Sequence, residues 1–137
     1  MIINTESEMK SFGEKIAEAL SYPVTIELIG DVGAGKTTLV KGIAKGLGVE
    51  EEISSPSFTL SKSYGVPEKG AVLHHYDFYR LGDPGIMSEE LLENVNDDKA
   101  ITIVEWGESV EGVLPKDRMK VYVRYRDDGS REVEVVR

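Results

Sequence analysis

The first feature of chemical interest is a glycine-rich run between an apolar segment and a helical pattern. Its residues are, in order, Gly30, Asp31, Val32, Gly33, Ala34, Gly35, Lys36, Thr37 and Thr38. The run has the spacing G-x-x-x-x-G-K-[ST] of a phosphate-binding loop, in which backbone N–H groups surround a phosphate. Apolar residues 24–29 before it predict a strand, and the apolar positions of 39–47 after it predict a helix. The sequence therefore predicts a site for a nucleoside triphosphate with magnesium.

Two side chains at the end of the run have the chemistry to complete such a site. The Lys36 ammonium can reach the β- and γ-phosphate oxygens, and the Thr37 hydroxyl can coordinate the magnesium ion. The helix that begins near Lys36 adds unpaired N–H groups and the positive end of its dipole. A glycine-rich turn of purely structural origin is the alternative, but the Lys-Thr pair and both flanking elements favour the phosphate loop.

A phosphate loop also needs a neighbouring carboxylate that holds the magnesium ion directly or through water. Glu105 closes the apolar run 100–104, which predicts a strand covered on both faces. The carboxyl ends of such strands border the ligand crevice of open α/β sheets, so Glu105 is the expected partner. A strand-end glutamate that only faces solvent is the alternative. Trp106 follows directly, and a lone aromatic is typically a packing residue.

A second polar cluster, residues 74–81, ends another predicted strand. In it, Asp77 can orient water or a metal ion, and Arg80 can meet a phosphate or a carboxylate. The residues alone leave a site and a structural strand end equally open, because His75 and Arg80 can pair with acidic neighbours. Zinc is disfavoured, since His74 and His75 point to opposite sides of a strand.

The composition narrows the class of protein. The length of 137 residues predicts one α/β domain covering residues 1–137. The chain has no cysteine, which excludes disulfides and thiolate metal sites, and its net charge of −9 disfavours direct nucleic-acid binding. The first residues lack the pattern of a signal peptide and no apolar run is long enough to span a bilayer. We therefore expect a cytoplasmic protein without membrane contact.

Periodicity predicts the other helices. Thr5 and Glu8 have the spacing of a capping box, and the apolar face that follows predicts a helix over residues 6–20. Gly48 is the expected stop of the helix after the phosphate loop. Ser88 is expected to cap a short helix that continues through residue 95.

Alternating and apolar runs predict the strands. Residues 58–64 and 71–77 predict a hairpin with a turn over 65–70, and residues 119–136 predict a second hairpin at the C-terminus. The apolar runs 24–29 and 100–104 predict parallel strands in the centre of the sheet. The predicted fold class is α/β, with a mixed sheet of parallel core strands and antiparallel hairpins.

Four segments taken together resemble the TsaE (YjeE) family of small bacterial P-loop ATPases. They are residues 30–38, Ser55-Pro56-Ser57-Phe58-Thr59-Leu60, residues 75–81 and Val104-Glu105-Trp106. The similarity runs in order over nearly the whole chain. It implies a three-layer P-loop NTPase-like fold and an ATP-hydrolysing subunit for the N6-threonylcarbamoyladenosine modification of tRNA. It further implies the TsaB and TsaD proteins as partners, and contact with tRNA only indirectly, through their complex.

The resemblance also implies roles for single residues and the ligands ATP or ADP and Mg²⁺. By this resemblance, residues 31–38 and Arg131 are expected to bind the nucleotide, and Thr37 and Glu105 are expected to bind the metal. Asp77, Glu105 and Trp106 are expected to take part in hydrolysis. Ser57 stands where the family usually has threonine, and residues 85–88 depart from its more acidic pattern.

Two other functions stay open at this point. A small-molecule kinase also uses a phosphate loop, but it needs an acceptor pocket and an arginine-rich lid for which the chain offers little room. A nucleotide-gated interaction module would use ATP only to order residues 55–60 for a partner, although turn chemistry alone also explains that segment. A GTPase is disfavoured, since the chain has no Asn-Lys-x-Asp tetrapeptide.

Overall fold

A mixed β-sheet organises the fold. The protein is described by a computed structural model that covers residues 1–31, 33–56, 61–79 and 85–137. Within these residues the sheet has seven strands: β1 (Ile2–Ile3), β2 (Val24–Ile29), β3 (Ser61–Val66), β4 (Ala71–Asp77), β5 (Ala100–Glu105), β6 (Met119–Tyr125) and β7 (Arg131–Val136). Their spatial order is β1-β7-β6-β2-β5-β4-β3. The four inner strands β6, β2, β5 and β4 are parallel, and the pairings toward both edges are antiparallel.

Helices cover both faces of the sheet. They are α1 (Glu6–Glu18), α2 (Lys36–Leu47) and α3 (Ile86–Val95). The core residues of α1 and α2 pack with Ile26, Ile101 and Ile103 on one face, and Leu91 of α3 packs with Val104 on the other. This three-layer arrangement confirms the predicted fold class. Among the described helices, none combines the length and apolar character needed to cross a membrane.

Local sequence signals account for the ends of α1 and α2. The Thr5 hydroxyl accepts a hydrogen bond from the Glu8 N–H at 3.1 Å, which caps α1 as predicted, and α1 ends two residues before the predicted limit. Helix α2 ends at Leu47, and Gly48 follows it as the predicted stop, with a φ of +89° in the left-handed region that glycine tolerates without strain.

Two predicted boundaries are wrong. Helix α3 begins at Ile86 after Gly85, and Ser88 lies inside its first turn, where the hydroxyl donates to the Gly85 carbonyl instead of capping the helix. Strand β3 continues to Val66, so the turn covers Pro67 to Gly70, because Gly65 and Val66 pair with β4. The predicted start of that strand at residue 58 lies outside the described residues.

The parallel register brings the polar strand ends together. Leu28 of β2 and Asp77 of β4 lie on opposite sides of Glu105 in β5. The chain leaves β2 just after this point and enters the phosphate-loop segment, so the loop and both carboxylates lie at the same edge of the sheet.

Candidate nucleotide site

The chain between β2 and α2 folds back on itself just before the helix. The Ala34 N–H donates to the Asp31 carbonyl at 3.1 Å, and α2 begins after Gly35, whose φ is +107°. At Gly30 an added Cβ would collide with the backbone carbonyl of Val123 in the neighbouring strand β6. Glycine is thus required at Gly35 by backbone angle and at Gly30 by close approach.

Lys36 is held at the centre of the site. Its side chain is 6% exposed, and its Nζ donates to the Gly30 carbonyl at 2.5 Å. The same Nζ lies 3.9 Å from Glu105 Oε1. Burial lowers the pKa of Lys36, and the nearby carboxylates of Glu105 and Asp77 act in the opposite direction. An anionic ligand beside Nζ would compensate for the same loss of hydration.

The two carboxylates facing the loop have different surroundings. Glu105 is buried, and its Oε2 lies 2.5 Å from His75 Nε2. Asp77 is half-buried, and its Oδ1 accepts a hydrogen bond from the Tyr79 N–H at 2.9 Å. Burial raises the pKa of Asp77, and the adjacent charge of Glu105 adds to this effect.

Trp106 has an unusual backbone. Its φ is +56°, and among the described residues other than glycine it alone has a positive φ. Such a strained backbone conformation is typical of functional sites. The turn places the indole ring 4.1 Å from Lys36 Nζ, in cation–π geometry. The ring of Tyr79 lies 4.8 Å from that of Trp106 between centroids. Trp106 therefore covers the lysine instead of serving only as core packing.

The C-terminal hairpin supports the loop from the other side. Arg131 Nε donates to the Ala34 carbonyl at 3.1 Å, and the Tyr125 hydroxyl donates to the Gly33 carbonyl. The Arg131 guanidinium lies 4.1 Å above the Tyr125 ring. The hairpin register explains this pair, because Tyr125 and Arg131 are directly opposite partners of β6 and β7.

These groups surround a cleft of about 430 Å³. Its lining consists of Glu6, Gly33, Gly35, Lys36, Thr37, Thr38, Ser55, Asp77, Tyr79, Glu105, Trp106 and Arg131. A second hollow of about 220 Å³ adjoins it and shares four of these residues. Four further residues line the second hollow but not the cleft: Ile3, Asn4, Thr5 and Met9.

The oxygen donors in the cleft suit a magnesium ion. The Thr37 hydroxyl and the Glu105 and Asp77 carboxylates are hard ligands, and magnesium in phosphate sites takes only one or two protein ligands besides water and phosphate oxygens. Across the described ranges, no group of three or more His, Cys, Asp or Glu residues is arranged to hold a metal alone. A metal bound jointly by protein and phosphate fits both observations.

The structure assembles most of the side chains that were singled out from the sequence. Lys36, Thr37, Asp77, Glu105 and Trp106 all face the cleft, as do Thr38 and Arg131. Ala34 is buried, and it meets Arg131 through its carbonyl. Asp31 lies outside the cleft and lines a separate hollow, to which Trp106 also contributes. Val32, Ser57 and Arg80 fall outside the described residues.

Two cleft neighbours have no local sequence signal. Glu6 lines the cleft from the first turn of α1, and Tyr125 contacts the loop from the end of β6. Correct pairing of β6 with β7 would have placed Tyr125 beside Arg131. Nothing near Glu6 in the sequence indicates its position, because it results from the packing of α1 against α2.

The fold and the arrangement of the loop define an α/β protein of the P-loop NTPase-like class. The model of one family, described as "Threonylcarbamoyl adenosine biosynthesis protein TsaE", matches residues 3–133. The chain therefore belongs to the TsaE family, whose name refers to threonylcarbamoyl adenosine biosynthesis.

Individual relatives agree with this membership. The tRNA threonylcarbamoyladenosine biosynthesis protein TsaE of Haemophilus influenzae is 34% identical over 98% of this chain and 86% of its own length. The protein of the same name from Bacillus subtilis is 36% identical over 87% of this chain and 73% of its own. A crystal structure of Bacillus subtilis YdiB superposes with a TM-score of 0.79 at 30% identity, covering 97% of this chain and 80% of that one.

Proposed function

We propose that this chain binds ATP with Mg²⁺ and hydrolyses it slowly, in the cytoplasm, as the ATPase subunit of tRNA N6-threonylcarbamoyladenosine biosynthesis. One observation carries the proposal: Lys36, the N-terminus of α2 and two carboxylates converge on one cleft at the carboxyl edge of the parallel strands. Family membership supports the pathway, since the relatives are named for this modification.

The phosphate chain would lie against the N-terminus of α2. The N–H groups of that first turn have no helical partners, and their dipoles favour an anion. Lys36 Nζ, which donates to the Gly30 carbonyl at the start of the loop, would exchange this bond for bonds to phosphate oxygens. The exchange would stabilise the charged form of the buried ammonium, because anionic oxygens would replace a neutral carbonyl, and this favours binding.

The adjoining hollow offers a place for the base. Ile3 and Met9 supply apolar walls, and Asn4 and Thr5 supply hydrogen-bonding groups. A pocket with apolar walls and few polar groups is the usual setting of a flat heterocycle. It opens beside Gly35 and Arg131, so a nucleotide can reach from it to the loop.

Hydrolysis would depend on positioning and charge. Bound magnesium would neutralise charge on the phosphate oxygens, with the Thr37 hydroxyl and Glu105 as its protein ligands. Asp77, whose raised pKa gives its carboxylate more affinity for a proton, would orient the attacking water. Glu105 is less suited to that step, because His75 already holds one of its oxygens.

We expect slow turnover by the isolated chain. Within the described part of the cleft, Arg131 is the arginine present, and its guanidinium already donates to the Ala34 and Gly129 carbonyls. No other described arginine lines the cleft to stabilise the transferred phosphoryl group. The TsaB and TsaD proteins are the proposed partners that complete the site.

Phosphate release from Mg²⁺-ATP tests the proposal. Lys36→Ala and Glu105→Ala should lose most of the activity, with and without TsaB and TsaD. Lys45→Ala is the matched control, because Lys45 lies on the same helix, its exposed ammonium pairs with Glu14, and it does not line the described cleft. Wild-type rates in both site variants would refute hydrolysis at this cleft. Tight ATP binding without phosphate release would instead favour a nucleotide-gated interaction module.

A further inference from the structure

His75 is a buried histidine whose contact reaches the site from behind. Its side chain is completely buried in β4, and its Nε2 lies 2.5 Å from Glu105 Oε2. The other ring nitrogen, Nδ1, is buried without a hydrogen-bond partner among the described residues. If this side chain only filled the core, an apolar residue would stabilise the fold better, because it would bury no unpaired nitrogen.

The contacts of the ring define where its proton lies. A carboxylate oxygen is an acceptor only, so a contact of 2.5 Å requires a hydrogen on Nε2. We therefore assign to His75 Nε2 the role of donor in its hydrogen bond with the Glu105 carboxylate.

We propose that His75 is a positioning residue that fixes the orientation of the Glu105 carboxylate for magnesium. The inference rests on the proposed function. With Oε2 held by His75, rotation of the carboxylate is restricted and Oε1 is left on the cleft side, 3.9 Å from Lys36 Nζ. Groups that hydrogen-bond to a metal ligand in this way set its direction and strengthen metal binding.

The neighbouring histidine provides an internal comparison. His74 points to the other face of β4, where its Nδ1 lies 2.7 Å from Ser63 Oγ. Its contacts are remote from Glu105, and it does not line the cleft. Replacing His74 thus changes a histidine of the same strand without changing the carboxylate.

The experiment measures metal affinity instead of turnover. Mn²⁺ replaces Mg²⁺ as the probe, and free Mn²⁺ is followed by electron paramagnetic resonance in the presence of AMP-PNP, which is not hydrolysed. We compare wild type with His75→Leu, His75→Gln and the control His74→Leu. Leucine removes the donor at similar size, and glutamine carries an N–H donor at a similar distance from the backbone.

The expected result is a 10- to 100-fold loss of Mn²⁺ affinity in His75→Leu, with His75→Gln within about threefold of wild type. His74→Leu should bind as wild type does. A folded His75→Leu that binds Mn²⁺ as tightly as wild type would overturn the role, as would a His75→Gln variant as weak as His75→Leu. Wild type that fails to bind AMP-PNP with Mn²⁺ would instead overturn the proposed function.

A second measurement applies if His75→Leu does not fold. The ¹⁵N shifts of the His75 ring in the unliganded wild-type protein report which nitrogen carries the hydrogen. A hydrogen on Nε2 supports the inference. A hydrogen on Nδ1 alone overturns it, because the ring could not then donate to Glu105.

Discussion

Two glycines at opposite ends of α2 offer a test that separates binding from stability. Gly35 precedes the helix with a φ of +107°, and Gly48 follows it with a φ of +89°. Only Gly35 borders the cleft. An alanine at either position must adopt a conformation that L-residues disfavour by about 1–2 kcal/mol.

The surroundings of the added methyl groups keep the two substitutions comparable. At Gly48 a new Cβ meets nothing within 4 Å, and at Gly35 it comes within 3.1 Å of Met9 Cε, the end of a flexible side chain. Backbone strain therefore dominates in both cases. Gly35→Ala and Gly48→Ala should each lower the free energy of unfolding by about 1–2 kcal/mol, or the melting temperature by roughly 3–10 °C.

Nucleotide binding should respond to only one of the two substitutions. In the proposed complex, a shift in backbone angles at Gly35 would turn neighbouring N–H groups away from the phosphate. Loss of one hydrogen bond to a charged group costs about 1.5–3 kcal/mol, which is roughly a 10- to 100-fold loss of affinity. Gly48→Ala should bind Mg²⁺-ATP as wild type does.

The assay combines thermal unfolding followed by circular dichroism with calorimetric titration of Mg²⁺-AMP-PNP. Equal affinity of Gly35→Ala and Gly48→Ala, measured at temperatures where both are folded, would contradict the expected role of Gly35. Equal losses in both variants would mean that affinity follows stability and not the geometry of the loop.

Three further predictions concern single groups. The pKa of Asp77 is raised in the folded state, so protonated Asp77 contributes stability that is present below its unfolded pKa and is lost as the pH rises through the folded value. Asp77→Asn should therefore increase the free energy of unfolding at pH 7, and this gain should disappear below about pH 4. Urea titrations at both pH values measure the effect, and an equal gain at both would contradict the prediction. Because the single tryptophan, Trp106, lies over Lys36 Nζ, ATP binding should change its fluorescence, and an unchanged spectrum at saturation would count against displacement of the lysine. Arg118→Met should destabilise the fold by about 3–5 kcal/mol, because it leaves the buried Glu27 carboxylate without its 2.8 Å partner; adding Glu27→Gln should recover much of the loss, and denaturant unfolding of both variants would show whether it does.

The segment between β2 and α2 was predictable because its signals are local. Residues 30–38 carry both the backbone requirement and the chemistry in one continuous segment. Glu105 was found by a rule of topology, since the end of a buried parallel strand must reach the edge where the loop lies. The edge hairpins followed from alternation and turn residues.

What the sequence did not disclose depends on contacts between distant segments. The pairing of His75 with Glu105 requires the register of β4 against β5, which no pattern within either strand specifies. The support from Tyr125 depends in the same way on the position of β6 beside the loop. The prediction that Ser88 caps α3 was wrong because serine also occurs inside a first helical turn, where its hydroxyl can donate to a carbonyl of the preceding residues.

Calorimetric titration of the wild-type chain and of Lys36→Ala with ATP and Mg²⁺ tests whether the cleft binds the nucleotide. We expect one nucleotide bound per wild-type chain and a loss of about 10-fold or more in affinity for Lys36→Ala, since one hydrogen bond between charged groups is removed. No heat of binding to the wild-type chain at millimolar ATP, or equal affinity in the two proteins, would contradict it.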